Sequence, residues 1–127
     1  DRRIPLPKFD EFGVGRIPAA RLPETSFGDL GVRSGVVSTG DSFGPTSEEE
    51  AFFILEGVAC KEMEAGSIAG LAKDLGIPFL AVKAVTDLVD HPESGHDAFQ
   101  RNIKRVSQQL TEWVSDFIHK MANGSLR

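Results

Sequence analysis

A strand pattern, a helix pattern and a second strand pattern follow one another between residues 58 and 85, and this order constrains the fold most strongly. Residues 58–60 look like a short strand, and apolar residues recur at helical spacing over residues 64–75. Residues 79–82 are apolar without alternation, as expected of a strand covered on both faces, and this strand is predicted to extend to residue 85. Because parallel strands need a crossover helix between them, this order predicts a βαβ unit in an α/β fold with a largely parallel sheet.

Three further elements are predicted around this unit. Residues 35–38 resemble a strand that ends in a turn, and Ser47 with Glu50 has the spacing of a capping box at the start of a helix. Asp97 and Gln100 have the same spacing at the start of the last helix. The apolar stripe of that helix is expected to pack on the sheet and comprises Phe99, Ile103, Val106, Leu110, Trp113 or Val114, Phe117 and Met121.

The chain is predicted to be one portion of a single domain, residues 1–127. Prolines and glycines make residues 1–31 irregular, apart from a short helix expected at residues 25–30, whereas residues 32–127 carry the α/β part. No repeat or linker divides the sequence.

Charge and cysteine content exclude several classes of protein. The 14 Lys and Arg against 19 Asp and Glu give a net charge of −5, which argues against a general partner among nucleic acids or anionic membranes. The longest apolar run, near residues 77–82, is far too short to cross a bilayer. The single cysteine, Cys60, allows no internal disulfide and fits a small buried residue in a reducing, cytoplasmic location.

Acidic residues follow two of the predicted strands. Glu62 and Glu64 come after residues 58–60, and Thr86 with Asp87 comes after the strand predicted at residues 79–85. Ligands gather at the carboxyl ends of parallel strands, so the pair of strand ends predicts a site. Taken singly, such carboxylates also occur because they suit a helix dipole or a turn.

The segment at residues 40–44 (Gly-Asp-Ser-Phe-Gly) is a third turn at a strand end. An exposed Phe43 among glycines could stack on a flat base, although an aromatic residue in a turn is more often part of the core.

A metal centre is not expected. His91 and His96 lie near Glu93 and Asp97, but in a loop without the i, i+4 spacing of helical ligands. The sequence contains no phosphate-binding or dinucleotide-binding glycine loop, so no cofactor is predicted either.

Three segments together resemble a known family. Residues 62–65 (Glu-Met-Glu-Ala), residues 83–90 (Lys-Ala-Val-Thr-Asp-Leu-Val-Asp) and residues 38–43 (Ser-Thr-Gly-Asp-Ser-Phe) are similar to motifs of the 5'-methylthioadenosine/S-adenosylhomocysteine nucleosidases, particularly their plant-type branch. The resemblance runs from about residue 33 to the end. It implies the nucleoside phosphorylase-like fold, a three-layer α/β/α sandwich around a mixed, largely parallel sheet, of which this chain would be the C-terminal part.

The resemblance implies that the protein hydrolyses the N-glycosidic bond of a purine nucleoside. Asp87 corresponds to the acid that protonates the departing purine, a role typically worth about two to four decades in rate. Glu64 corresponds to the carboxylate that binds the ribose hydroxyls, with Met63 beneath the sugar and Glu62 beside it.

Further substrate-binding residues are implied at the base and at the 5' side. Phe43 would stack on adenine, the backbone of Gly44 would bond its edge, and Thr86 would neighbour the acid. In dimers of the family a neighbouring subunit helps to enclose the alkylthio group, which makes Phe9 and Phe12 candidates for that wall.

The chain departs from the family in length and at one position. The family's domain is longer at its N-terminal side, where it holds the glutamate that activates water and the first strands. We therefore expect the missing N-terminal portion of the same protein as a partner, beside a second subunit. Lys61 replaces an apolar residue of bacterial members and could alter substrate preference.

Two other functions stay open. A purine nucleoside phosphorylase would use phosphate instead of water, but those relatives usually have histidine after the aspartate, where this chain has residues 88–90 (Leu-Val-Asp). A plant storage relative would keep the fold without turnover, but this chain retains both Glu64 and Asp87.

Overall fold

A computed structural model describes residues 16–22, 31–89 and 94–124 of the chain. These residues divide into two units. The first unit comprises residues 16–21 and 35–81, and the second comprises residues 22, 31–34, 82–89 and 94–124. The helix predicted at residues 25–30 lies outside the described residues, and the prediction of one domain portion divided near residue 31 stays a prediction.

The first unit contains a parallel pair of strands. Strand β1 (Val36–Thr39) is hydrogen-bonded in parallel to strand β2 (Val58–Glu62), and helix α1 (Ser47–Glu56) connects them. The register places Thr39 opposite Glu62. Both strands were predicted, but the βαβ unit spans β1, α1 and β2 and so begins one strand earlier than the sequence pattern suggested.

Helix α1 has its capping box one residue before the predicted one. Thr46 has extended backbone angles, its hydroxyl accepts the amide of Glu49 at 3.2 Å, and the Glu49 carboxylate accepts the amide of Thr46 at 2.7 Å. The predicted pair of Ser47 and Glu50 was wrong. Thr46 and Glu49, one residue earlier, have the same capping-box spacing and form the box instead. The helix ends at Gly57, whose φ of 61° lies in the left-handed region.

Helix α2 (Ala65–Asp74) confirms the predicted helix after β2. It contacts β1, and its small side chains Ala65 and Ala72 are buried. At 3.6 residues per turn these two lie on one side, while the larger apolar residues lie on another. Those larger side chains are exposed by 53%, 61% and 63% at Ile68, Leu71 and Leu75.

The strand predicted at residues 79–85 is not formed. None of residues 77–88 belongs to a strand. The backbone of Phe79 accepts one bond from the amide of Ala20 at 2.7 Å. A strand requires a series of such bonds to a neighbouring strand. The apolar composition of a segment does not show whether a neighbouring strand is present to pair with it.

The second unit is dominated by helix α3 (Gly95–Ala122). Its N-cap is Ser94, which accepts the amide of Asp97, so the predicted cap at Asp97 lies inside the first turn. Ala98 and Val106 are buried. The predicted stripe is half-buried at Phe99, Ile103, Leu110, Trp113, Val114 and Phe117, but Met121 is exposed. The charged and amide residues predicted to face water are exposed, namely Arg101, Lys104, Arg105, Gln108 and Glu112.

Candidate active site

The segment between β2 and α2 carries the first group of predicted site residues. One oxygen of the Glu62 carboxylate accepts the amides of Glu64, at 3.0 Å, and Ala65, at 2.8 Å. The Glu64 side chain makes no capping bond at this helix start. Glu62 therefore satisfies backbone donors that the helix leaves open, where a negative charge also suits the helix dipole.

The side chains of Met63 and Glu64 are exposed, Met63 by 42%. They occupy the two positions between the end of β2 and the first residue of α2. The backbone of this short segment is held by Glu62, while both side chains remain accessible to a ligand.

The turn at residues 40–44 is hydrogen-bonded to two residues of β2, Lys61 and Glu62. The amide of Gly40 donates to the carbonyl of Glu62 at 2.9 Å. The ammonium of Lys61 donates to the carbonyl of Ser42 and, at 3.4 Å, to that of Phe43. The sequence patterns did not predict that Lys61 bonds the backbone of this turn. The bonds form because the parallel pairing of β1 and β2 brings Lys61 next to the turn that follows β1.

Phe43 is not part of the core, because 55% of its surface is exposed. Within the described part of the chain, and apart from Gly44 and its two chain neighbours, no heavy atom lies within 4 Å of the place where a Cβ on Gly44 would stand. The turn thus presents an aromatic ring and an open stretch of backbone, the two features that recognition of a flat base requires.

Thr86 and Asp87 lie in the second unit, and both are half-buried. The Thr86 hydroxyl donates to one oxygen of Asp87 at 2.6 Å. The side-chain amide of Asn102 donates to the carbonyl of Thr86 at 2.8 Å. A Cβ on Gly95 would lie 3.2 Å from the other Asp87 oxygen, so Asp87 lies against the first turn of α3.

Asn102 was not predicted as a site residue. Its signal in the sequence is a polar side chain four residues after Ala98 and four before Val106, in line with the buried face of α3. Such a position needs a hydrogen-bond partner, and the carbonyl of Thr86 supplies it.

The predicted residues are therefore distributed over both units. Glu62, Met63 and Glu64 belong to the first unit together with the Phe43–Gly44 turn, and Thr86 and Asp87 belong to the second. Phe9 and Phe12 lie outside the described residues. That Glu64 and Asp87 act on one substrate stays a prediction.

Among residues 16–22, 31–89 and 94–124, no three His, Cys, Asp or Glu side chains are grouped so that they could hold a metal ion. His96 is exposed, whereas His91 and Glu93 fall outside those ranges. No helix in the described part of the chain is both long and apolar enough to span a bilayer.

Comparison with known proteins identifies the family. The model of the Phosphorylase superfamily matches residues 8–119, most of the chain. The chain belongs to the phosphorylase superfamily. Two similar curated members come from Arabidopsis thaliana. One is named 5'-methylthioadenosine nucleosidase; it is 38% identical to this chain, and the match covers 87% of this chain and 41% of the relative. The other is named 5'-methylthioadenosine/S-adenosylhomocysteine nucleosidase and is 31% identical over 93% of this chain and 46% of the relative.

Solved structures agree with this superfamily fold. The apo structure of Arabidopsis thaliana 5'-methylthioadenosine nucleosidase matches 94% of this chain with a TM-score of 0.81 and 35% identity. A crystal structure named as the MTA/SAH nucleosidase matches 94% with a TM-score of 0.75 and 30% identity. The predicted nucleoside phosphorylase-like α/β fold is confirmed. This member of the superfamily spans about half the length of the two solved chains, 48% and 50%.

Proposed function

We propose that the complete protein hydrolyses the N-glycosidic bond of 5'-methylthioadenosine, releasing adenine and the 5-alkylthioribose. The observation that carries this proposal is the fit to a 5'-methylthioadenosine nucleosidase structure at a TM-score of 0.81 over 94% of the chain. The chain also has a carboxylate at both motif positions, Glu64 and Asp87. Whether S-adenosylhomocysteine is a second substrate depends on the room around the 5' substituent.

In this proposal Asp87 is the general acid. As the bond between the anomeric carbon and the purine nitrogen breaks, the electron pair goes to the purine and Asp87 donates a proton to N7 of the departing base. Water then adds to the anomeric carbon, and its proton passes to a base that the family has in its N-terminal portion. The bonds from Thr86 to Asp87 and from Asn102 to Thr86 support a fixed orientation of the acid.

Glu64 accepts hydrogen bonds from the ribose hydroxyls, where a charged acceptor is strongest. Its exposure beside Met63, while its own backbone amide is bonded to Glu62, supports this assignment. Phe43 stacks on adenine and the backbone near Gly44 bonds the edge of the base, as supported by the exposed ring and the open space around Gly44.

The partners of this chain in the proposal are a further portion of the protein and a second copy in a homodimer. Large apolar side chains on α1 are exposed by 85% at Ile54 and 80% at Leu55, and such residues normally become buried in an assembly. Phe9 and Phe12 complete the 5' side across the dimer. A homogeneous, folded species with the 13.8 kDa mass of the chain alone would argue against both partners.

We further place the enzyme in methionine salvage, which recycles methylthioadenosine, and in the cytoplasm. The single cysteine, Cys60, supports a reducing compartment. Fractionation of cells that produce the complete protein tests the location.

The central test replaces Asp87 by Asn in the complete protein. Loss of the proton donor should lower kcat by about two to four decades, while adenine binding changes little. The matched control is Asp116→Asn, which removes an exposed carboxylate of α3 paired with Lys120 at 2.8 Å and should leave kcat unchanged.

The assay measures adenine release from 5'-methylthioadenosine with and without inorganic phosphate. Release that requires phosphate and yields a sugar phosphate would identify a phosphorylase instead. Absence of turnover in the unaltered complete protein would identify a non-catalytic relative. Unchanged turnover in Asp87→Asn would remove this residue from the mechanism.

A further inference from the structure

We infer that Thr39 is a positioning residue for the ribose-binding carboxylate of Glu64, acting through Glu62 and the first turn of α2. The inference rests on the proposed function and extends it to Thr39, a residue outside the predicted substrate-binding set. In the parallel register the last residue of β1, Thr39, lies opposite the last residue of β2, Glu62.

The Thr39 hydroxyl is bonded on both sides. It donates to one oxygen of Glu62 and accepts the amide of Gly66 at 2.8 Å. A hydroxyl has a single proton to donate, so the bond to Glu62 fixes its rotation, and a lone pair then faces the amide of α2. One side chain of β1 therefore connects the end of β2 with the beginning of α2.

Glu62 completes this network with its second oxygen. That oxygen accepts the amides of Glu64 and Ala65, and Thr39 accepts the amide of Gly66. The amides of three consecutive residues, starting at Glu64, are thus held by two side chains. The Glu62 oxygens carry the negative charge of the carboxylate, which strengthens bonds to backbone donors.

The contact between Thr39 and α2 is also sterically tight. A Cβ on Gly66 would stand 2.9 Å from both the Cβ and the hydroxyl oxygen of Thr39. This distance leaves no space for a side chain, so the helix start and the end of β1 can approach only because residue 66 is glycine. A change at Thr39 is therefore transmitted to the segment that carries Glu64.

The function of this network follows from the location of Glu64. Its side chain is exposed, but its backbone amide is bonded to Glu62. A carboxylate that binds two neighbouring hydroxyls must be placed accurately, and a displacement of about 1 Å can cost on the order of a hundredfold in rate. The chain obtains this accuracy from the side chains of residues 39 and 62.

The test compares Thr39→Val with Thr39→Ser in the complete protein, using 5'-methylthioadenosine and its 2'-deoxy analogue. Valine keeps the shape and removes the hydroxyl, whereas serine retains the hydroxyl. For methylthioadenosine, Thr39→Val should lower kcat/KM by about tenfold or more, mainly by raising KM, and Thr39→Ser should recover most of it. For the 2'-deoxy analogue the loss should be below about threefold, because Glu64 then has one hydroxyl fewer to bind.

Glu62→Gln provides a second variant should Thr39→Val fail to fold. Its amide keeps an oxygen for the backbone donors and places an NH2 group against Thr39, so it should show the same selective loss. Thr111→Val, which removes an exposed hydroxyl bonded to the carbonyl of Ser107 on α3, serves as the control without effect. Equal losses on both substrates would overturn the inference, whereas hydrolysis of neither substrate by the unaltered protein would contradict the proposed function instead.

Discussion

The close approach of α2 to β1 makes a stability prediction for Gly66→Ala. The new methyl group would stand 2.9 Å from the Thr39 hydroxyl oxygen and 3.3 Å from its Cγ2. Gly70 lies in the same helix, and among the residues that the structure describes a Cβ there would meet no heavy atom within 4 Å besides its chain neighbours and the backbone of the helix itself. Gly70→Ala is therefore a matched control that shares the helix but lacks the contact.

The expected magnitudes follow from three terms. Replacing glycine by alanine inside a helix stabilises it by about 0.8–1.0 kcal/mol, and this term applies to both variants. At Gly66 the methyl group also overpacks the contact, at about 1–3 kcal/mol, and displaces an amide bond to Thr39 worth about 1 kcal/mol. Gly70→Ala should thus stabilise the protein by up to about 1 kcal/mol, while Gly66→Ala should destabilise it by about 1–3 kcal/mol.

The assay is urea unfolding of the complete protein, followed by circular dichroism, for the parent and both variants. Linear extrapolation gives the free energy of unfolding, and unchanged slopes show that the midpoints report stability. The difference between the two variants should be about 2–4 kcal/mol, since the helix term cancels. Equal stabilisation by both substitutions would refute the tight contact between residues 39 and 66.

Two further predictions concern the other positioning contacts. Lys61→Met removes the ammonium bonded to the Ser42 and Phe43 carbonyls, so KM for methylthioadenosine should rise by about three- to tenfold with a smaller change in kcat. Asn102→Ala removes the bond to the Thr86 carbonyl, which should lower the free energy of unfolding by about 1–3 kcal/mol and kcat by about tenfold.

Each of these variants has a matched control on the exposed face of α3. Lys104→Met removes an exposed lysine, and Gln109→Ala removes an amide bonded to Arg105 at 3.0 Å. Both controls should retain the kinetics of the parent, measured as initial rates over a range of substrate concentrations. A Lys61→Met enzyme with the KM of the Lys104→Met enzyme would show that the turn needs no ammonium. The same comparison of kcat between Asn102→Ala and Gln109→Ala tests the support of Asp87.

Local patterns predicted the helices well because their causes are local. The start of α2 after β2 and its end before Gly76 follow from spacing and from a glycine with a φ of 67°. The N-caps of α1 and α3 lie before the predicted ones because several nearby residues have side chains that can cap a helix. Thr46 has the extended backbone that an N-cap needs, and its neighbour Ser47 is already helical.

Strand partners could not be predicted in the same way. Residues 79–85 have the hydrophobicity of a buried strand but form no ladder, whereas β1 and β2 pair with each other across α1. A strand is stabilised by backbone groups far away in sequence, and composition does not say which segment supplies them.

The candidate site shows the same division between local and distant information. The amino-acid sequence alone determined which chemical groups the candidate site contains, namely two carboxylates and an aromatic ring. Glu64, Asp87 and Phe43 lie in motifs that can be read without coordinates. The tertiary structure decided which side chains hold them, since Thr39, Lys61 and Asn102 act through bonds to residues 16 or more positions away. Hydrogen bonds of about 3 Å depend on the path of the backbone through space, and that path is set by the folded chain as a whole.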